Sequence, residues 1–327
     1  MSVITWQVAT ASVRGASHIR QGLPNQDAVA CAGAPSAAGL LVLAVADGHG
    51  SAKSFRSDRG SRFAVQVATA VIEASLNSAP LSDIQWMAEE RFSKIIVREW
   101  RAAVERDAAA EPFTPEESAL SPRPYLAYGS TLLTVAVTPD FMLVMQLGDG
   151  DVLLVGDDGA VQRPFEPDPR LIANETTSLC QDNAWRLFRC RVLPKRSFPV
   201  MVLAATDGYA NAFRTEAGFL RVGSDLLTMI RSASLAAVSA SLPDWLEDAS
   251  AKGSGDDVTV GILYAMPASA PYRIPDKVKA RPVFRREPLR RPATTFRTRD
   301  ELEMKSVRST RIVCELTQLL SKMEPEK

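Results

Sequence analysis

Histidine is scarce, with His18 and His49 the two present in 327 residues. A site built on three imidazoles is therefore excluded. A catalytic metal here must take mainly carboxylate ligands, which selects hard divalent cations such as Mg2+ or Mn2+. Cysteine is sparse too. Cys31, Cys180, Cys190 and Cys314 form no Cys-x-x-Cys pair, which argues against a zinc ribbon, a thioredoxin-like redox motif or a secreted disulfide framework. No apolar run approaches the roughly 20 residues of a membrane span, and the start, Met-Ser-Val-Ile-Thr-Trp, lacks a basic n-region and an apolar h-region. A cytoplasmic protein with no membrane span is the expectation. Charge of one sign is also missing. The 38 Lys+Arg balance 38 Asp+Glu, so nothing in the charge suggests nucleic-acid binding. A Walker-type loop and a dinucleotide fingerprint are both absent, which leaves nucleotide binding with little support.

What is present is enough apolar content, 46%, to bury a full core. Residues 3–13 and 27–32 read as strands, and the continuous apolar run Gly39–Ala46 reads as a strand buried on both faces. Helical spacing follows from about Gly60 to Leu76 and from Asp83 to Ala110. Segment 111–126, with Pro112, Pro115, Pro122 and Pro124, reads as a loop. Strands are expected at 131–137, 141–147 and 152–155 as an antiparallel meander, then at 186–192 and 200–206. Helices near 224–240 and 243–251 and a last strand at 258–264 complete the pattern. Strands and helices in separate runs indicate an α+β class with antiparallel sheets.

Beyond Met266 prolines and basic residues interleave, with 15 Lys+Arg against 8 Asp+Glu over 266–327. The expected organisation is a folded domain over 1–265, a Pro/Arg-rich basic linker over 266–298 and a short amphipathic helix within 299–327. That helix, carrying Ile312, Leu316, Leu319, Leu320 and Met323, would dock on the domain or pair with a protein partner, with binding of the basic linker to an anionic surface as the alternative.

Three apolar strands end in Asp next to Gly: LVLAVA-Asp47-Gly48-His49-Gly50, LVMQL-Gly148-Asp149-Gly150-Asp151 and MVLAAT-Asp207-Gly208. A buried strand delivers its terminal carboxylate at a fixed depth, and the glycine lets the backbone turn sharply. Any single Asp-Gly also reads as a β-turn, most strongly at 148–151, where the flanking strands look like a hairpin. Two more acidic clusters, Asn25-Gln26-Asp27 and Gly253-Ser-Gly-Asp256-Asp257-Val-Thr259, lie at strand entrances.

In this order, and with Gly129-Ser130-Thr131 between them, these motifs resemble the metal-dependent type 2C protein phosphatases, specifically their divergent bacterial branch, over roughly residues 10–264. The resemblance implies a four-layer α-β-β-α sandwich, two antiparallel sheets flanked by helices. It implies a two-ion Mn2+ or Mg2+ centre, with a weaker third ion, that activates a water against a phosphoserine or phosphothreonine ester. Asp47 then matches the carboxylate bridging both ions and Gly48 the glycine whose carbonyl binds the second. Asp207 and Asp256 match the remaining ligands of the first ion, Asp27 the acidic position near the second, and Asp149 the third-ion site. His49 aligns with a general acid, for which an imidazole of reference pKa about 6.5 is suited. A phosphorylated protein substrate and a cognate Ser/Thr kinase are the partners implied. His18 has no such assignment and reads as a structural or hydrogen-bonding histidine.

Two positions depart from the pattern. Gly22 stands where many members have an arginine that binds the substrate phosphate, with Arg20 or Arg14 as stand-ins, and Gln26 replaces a commonly acidic residue. These departures keep open an alternative reading, a non-catalytic regulatory binding module on the same fold.

Overall fold

The computed structural model describes residues 4–33, 39–76, 83–171 and 176–267. The linker and C-terminal helix expected beyond 267 lie outside the described residues. Among the described residues, ten strands form two five-stranded antiparallel sheets. The first has the order β1 (Ile4–Val13), β10 (Val258–Pro267), β9 (Met201–Ala205), β6 (Asp151–Val155), β7 (Val161–Gln162). The second has the order β2 (Ala28–Gly33), β3 (Leu41–Ala46), β4 (Leu132–Val137), β5 (Phe141–Leu147), β8 (Arg189–Pro194).

The apolar run in β3 shows why the layers stack. Its six residues are all buried, and alternation sends them to two different cores. Leu41, Leu43 and Val45 meet Val202, Ala204 and Leu263 of the other sheet. Val42, Ala44 and Ala46 pack beneath helices, against Ala64, Val65, Ala68, Ile96 and Trp100. Those helices are α2 (Ser57–Leu76) and, after α3 (Ile84–Met87) and a π turn, α4 (Ser93–Ala110). In α2 the buried positions Ser61, Ala64, Val65, Ala68, Ile72 and Leu76 recur at three- and four-residue spacing, a stripe laid along the sheet. α8 (Glu216–Ser232) and α9 (Leu235–Ala249) cover the outer face of the first sheet. The result is the expected helix, sheet, sheet, helix order.

Three expectations change. Segment 111–126 is not a plain loop. It holds α5 (Pro115–Leu120) and α6 (Pro124–Ala127), each with proline in its first turn, where the missing N–H is not needed. Thr114 and Glu117 close a reciprocal capping box on α5. The helix break expected near 241 falls at 233–234, because the Ser234 hydroxyl accepts the Ala237 N–H and starts α9 there. Pro243 sits inside α9 without ending it, since Leu242, Trp245, Leu246 and Ala249 are buried along the same helix. Lastly, β4, β5 and β6 are not one meander. β4 and β5 pair, but β6 pairs with β9 and β7 in the other sheet. Gly148-Asp149-Gly150 is therefore a crossing between sheets, not a hairpin turn. Gly148 has φ 104°, a left-handed conformation that side-chain-bearing residues resist.

Candidate metal centre and catalytic site

That crossing changes what Asp149 can do. A hairpin would have left it at a sheet end, whereas the crossing brings it beside Asp47 at the end of β3 and Asp207, the first residue of α7 (Asp207–Ala210) after β9. Carboxylate oxygens of Asp47, Asp149 and Asp207 lie within 4.8 Å of one another, each residue partly buried. The crossing is fixed by Gln146 Nε2, which donates to the Gly150 carbonyl at 2.7 Å, and by the Gly148 N–H, which donates to Thr177 Oγ1 at 2.8 Å.

Asp27 stands behind the trio at the entrance of β2, 7% exposed. Its Oδ2 accepts the Thr206 hydroxyl at 2.7 Å, and Thr206 Oγ1 accepts the Thr259 N–H at 3.0 Å. The motif threonine of Asp256-Asp257-x-Thr259 thus reaches the centre through the residue before Asp207.

The electrostatics are those of crowded, buried anions. Burial pushes the Asp27 carboxyl well above the usual carboxylate range against the pull of Thr206 and Thr259, and Asp257 and Asp207 add to the rise. Burial, then the charges of Asp27 and Asp207, raise Asp47 in the same way. Burial raises Asp207, with Asp149 and Asp256 contributing, while a hydrogen bond with Asp47 opposes the rise. These residues fit a hard divalent cation: oxygen donors only, close-set, and in none of the ion pairs found among the described residues.

Asp256 is near Asp207 but turned aside. Its exposed carboxylate accepts the Asp257 N–H at 2.9 Å and lies 3.6 Å from His18 Nε2. Asp257, by contrast, is 3% exposed and saturated. It accepts the N–H groups of Gly15 and Gln26, each at 2.6 Å, and lies 2.8 Å from His18 Nδ1. His18 thus stands at ion-pair distance from the acidic loop, while its buried Nδ1 makes no hydrogen bond among the described residues. Gln26 passes the constraint on, its carbonyl accepting the Gly48 N–H at 3.1 Å and the Ser61 hydroxyl at 2.5 Å.

His49 follows the Asp47-Gly48 turn, and its N–H donates to the Gly129 carbonyl at 3.0 Å. Burial lowers its pKa, opposed by the charge of Asp149. Its Nε2 lies 2.7 Å from Ser178 Oγ. Arg20 is exposed at the end of α1 (Ala16–Gln21). Arg14 donates from Nη2 to the His18 carbonyl at 3.1 Å, and its buried Nε has no hydrogen-bond partner among the described residues.

A family profile described as protein phosphatase 2C matches residues 14–247. The chain belongs to the protein phosphatase 2C family. It is accordingly a metal-dependent protein phosphatase, and the profile match takes in Asp27, Asp47, His49, Asp149 and Asp207 while ending before Asp256. Among similar proteins is serine/threonine-protein phosphatase 3 of Escherichia coli (strain K12), 28% identical over 207 residues, 63% of this phosphatase and 74% of that one. Among solved structures, the serine/threonine phosphatase Stp1 from Staphylococcus aureus superposes with TM-score 0.54 at 14% identity, covering 81% of this phosphatase and 97% of that chain. The S. agalactiae serine/threonine phosphatase superposes with TM-score 0.50 at 16% identity, covering 79% and 99%. These structural likenesses establish the shared sandwich. Among the described residues no helix is long and apolar enough to cross a membrane.

Proposed function

We propose that this phosphatase hydrolyses phosphoserine and phosphothreonine in proteins, with Asp47, Asp149 and Asp207 as the core of a two-ion Mn2+ or Mg2+ centre. Asp27 and the Gly48 carbonyl complete the side nearer β2, and Asp256 swings from His18 to join Asp207. The observation that carries this reading is the convergence of three carboxylates from remote segments to within 4.8 Å without a cationic partner among the described residues. When bound, such ions lower the pKa of water and offset charge on the phosphoryl oxygens.

The chain's own residues supply the rest. Asp47 is held by its backbone, so its carboxylate is presented at a fixed depth. His49 supplies the proton that a departing serine or threonine oxygen requires. Arg14 and Arg20 are the cations proposed to meet the substrate phosphate, Arg20 from its exposed position at the end of α1. The substrate is a phosphoprotein made by a Ser/Thr kinase, which places the enzyme in cytoplasmic signalling, and the C-terminal tail is proposed to engage a protein partner.

The test is hydrolysis of a phosphothreonine peptide with Mn2+ or Mg2+ by the wild type and by Asp207→Asn. The variant is expected to lose at least about 100-fold in kcat, since a lost ligand should cost no less than the roughly 10–100-fold of a lost residue that merely supports one. Equal rates would refute the centre, and a wild type inert with every divalent ion would favour the binding-module alternative.

A further inference from the structure

Ser178 belongs to the segment between β7 and β8, whose composition offers no catalytic signal, yet its side chain is 2% exposed and touches the ring of His49. We propose that Ser178 is a positioning residue that engages the Nε2–H of His49 and thereby makes Nδ1 the nitrogen that passes its proton to the departing serine or threonine oxygen. This rests on the reading of His49 as the proton donor.

The hydroxyl's own bonding decides its polarity. Ser178 Oγ lies 3.0 Å from the Ser130 carbonyl oxygen, which can only accept, and it receives the Ser130 N–H at 3.2 Å. With its proton on that carbonyl, the oxygen acts as acceptor toward its other neighbours: the Ser130 N–H, the Cys180 N–H at 3.4 Å, Cys180 Sγ at 3.2 Å and, closest, His49 Nε2 at 2.7 Å. Reversing the hydroxyl toward Nε2 would leave two oxygens at 3.0 Å with no hydrogen between them. In the doubly protonated ring, which is the form able to act as an acid, both nitrogens donate, so Nε2–H again points at Ser178.

Packing supports the same assignment. A side chain at Gly129 would overlap His49 Cδ2 and crowd Nε2, so the Cδ2–Nε2 edge lies against Gly129 and Ser178. The Nδ1 edge is the opposite one. As the ester P–O bond breaks, its electron pair stays on the departing oxygen and takes the Nδ1 proton. A water oxygen forms the new P–O bond and releases a proton to solvent, and the ring regains one from solvent.

The experiment pairs a spectroscopic and a kinetic readout on the full chain. With two histidines, 15N-labelled imidazoles give two resolvable ring systems, identified with His49→Asn. The wild type and Ser178→Thr are expected to hold His49 as the Nε2–H tautomer when neutral, and Ser178→Ala to show a mixture. The same Ser178→Ala is expected to lose about 10-fold or more in kcat on a phosphothreonine peptide and less than about 3-fold on p-nitrophenyl phosphate, whose leaving group departs without a proton, with Ser178→Thr restoring the peptide rate. A wild-type Nδ1–H tautomer overturns the proposal even if Ser178→Ala fails to fold. Equal losses on both substrates overturn it as well. A wild type that hydrolyses neither substrate with any divalent ion defeats the phosphatase reading itself, and this proposal with it.

Discussion

Thr131 holds Asp47 by both of its backbone groups: the Thr131 N–H donates to the Asp47 carbonyl at 2.9 Å, and the Asp47 N–H donates to Thr131 Oγ1 at 3.0 Å. The carboxylate proposed to bridge two ions therefore hangs from a clamped peptide. Thr131→Val keeps the shape and removes one acceptor, leaving an interior N–H unpaired at about 1–3 kcal/mol. Metal affinity is expected to weaken by about 10-fold, as is usual when a residue supporting a ligand is lost. Isothermal titration with Mn2+ measures it.

Burial raises the carboxyls of Asp27, Asp47 and Asp207 above the usual value of 3.8. A group that binds its proton more tightly when folded stabilises the fold fully below its unfolded pKa, and that share is lost as pH rises through the raised value. The metal-free protein is therefore expected to lose thermal stability from mild acid toward neutrality, more steeply than metal-free Asp47→Asn. At neutral pH a 100-fold excess of ion over its Kd adds about 2.7 kcal/mol, or roughly 5–10 °C in Tm. Asp47→Asn is expected to abolish that gain. Thermal melts with and without chelator check both statements.

Asp257→Asn places an amide where two backbone donors converge beside His18. One of its two polar atoms then opposes an N–H of Gly15 or Gln26, or the ring of His18. A loss of about 2–4 kcal/mol is expected, since hydrogen bonds to charged groups contribute about 1.5–3 each. Chemical denaturation reads the midpoint.

Much of the site was legible because strand-end carboxylates carry a pattern: apolar run, Asp, Gly. Asp47 and Asp207 stand where that pattern put them, as does β3 with both faces buried. Asp149 was harder to place, because Gly-Asp-Gly between two β runs is written the same way whether the chain turns back or crosses to another sheet. The partner strand decides, and partners are remote in sequence. Ser178 could not be read at all, since its role comes from a fold that carries it to a histidine 129 positions earlier. The proline-rich segment misled for a local reason, as proline that breaks a helix from within begins one when it occupies the first turn.

Arg14→Ala is expected to raise KM for a phosphopeptide by about 10-fold with kcat little changed, the signature of lost uniform binding. Arg20→Ala, which removes the exposed cation at the end of α1, is expected to act in the same direction. Initial-rate kinetics on both variants check this.

Truncation after residue 270 removes the basic tail and keeps β10, which pairs with β1 along its whole length. The shortened enzyme is expected to retain metal-dependent hydrolysis and its melting temperature. A rate assay beside a thermal melt checks this.

Asp27 and Asp47 border β2 and β3 in one sheet, Asp207 follows β9 in the other, and Asp149 lies on the strand-to-strand passage between them. The spacing of these carboxylates is thus set by the thickness of the apolar filling between the sheets, where Leu43 and Val45 meet Val202 and Ala204. That filling works as a gauge block: side chains that touch no ion and no substrate hold the calibration of the centre, and a methylene added or removed there retunes it from a distance.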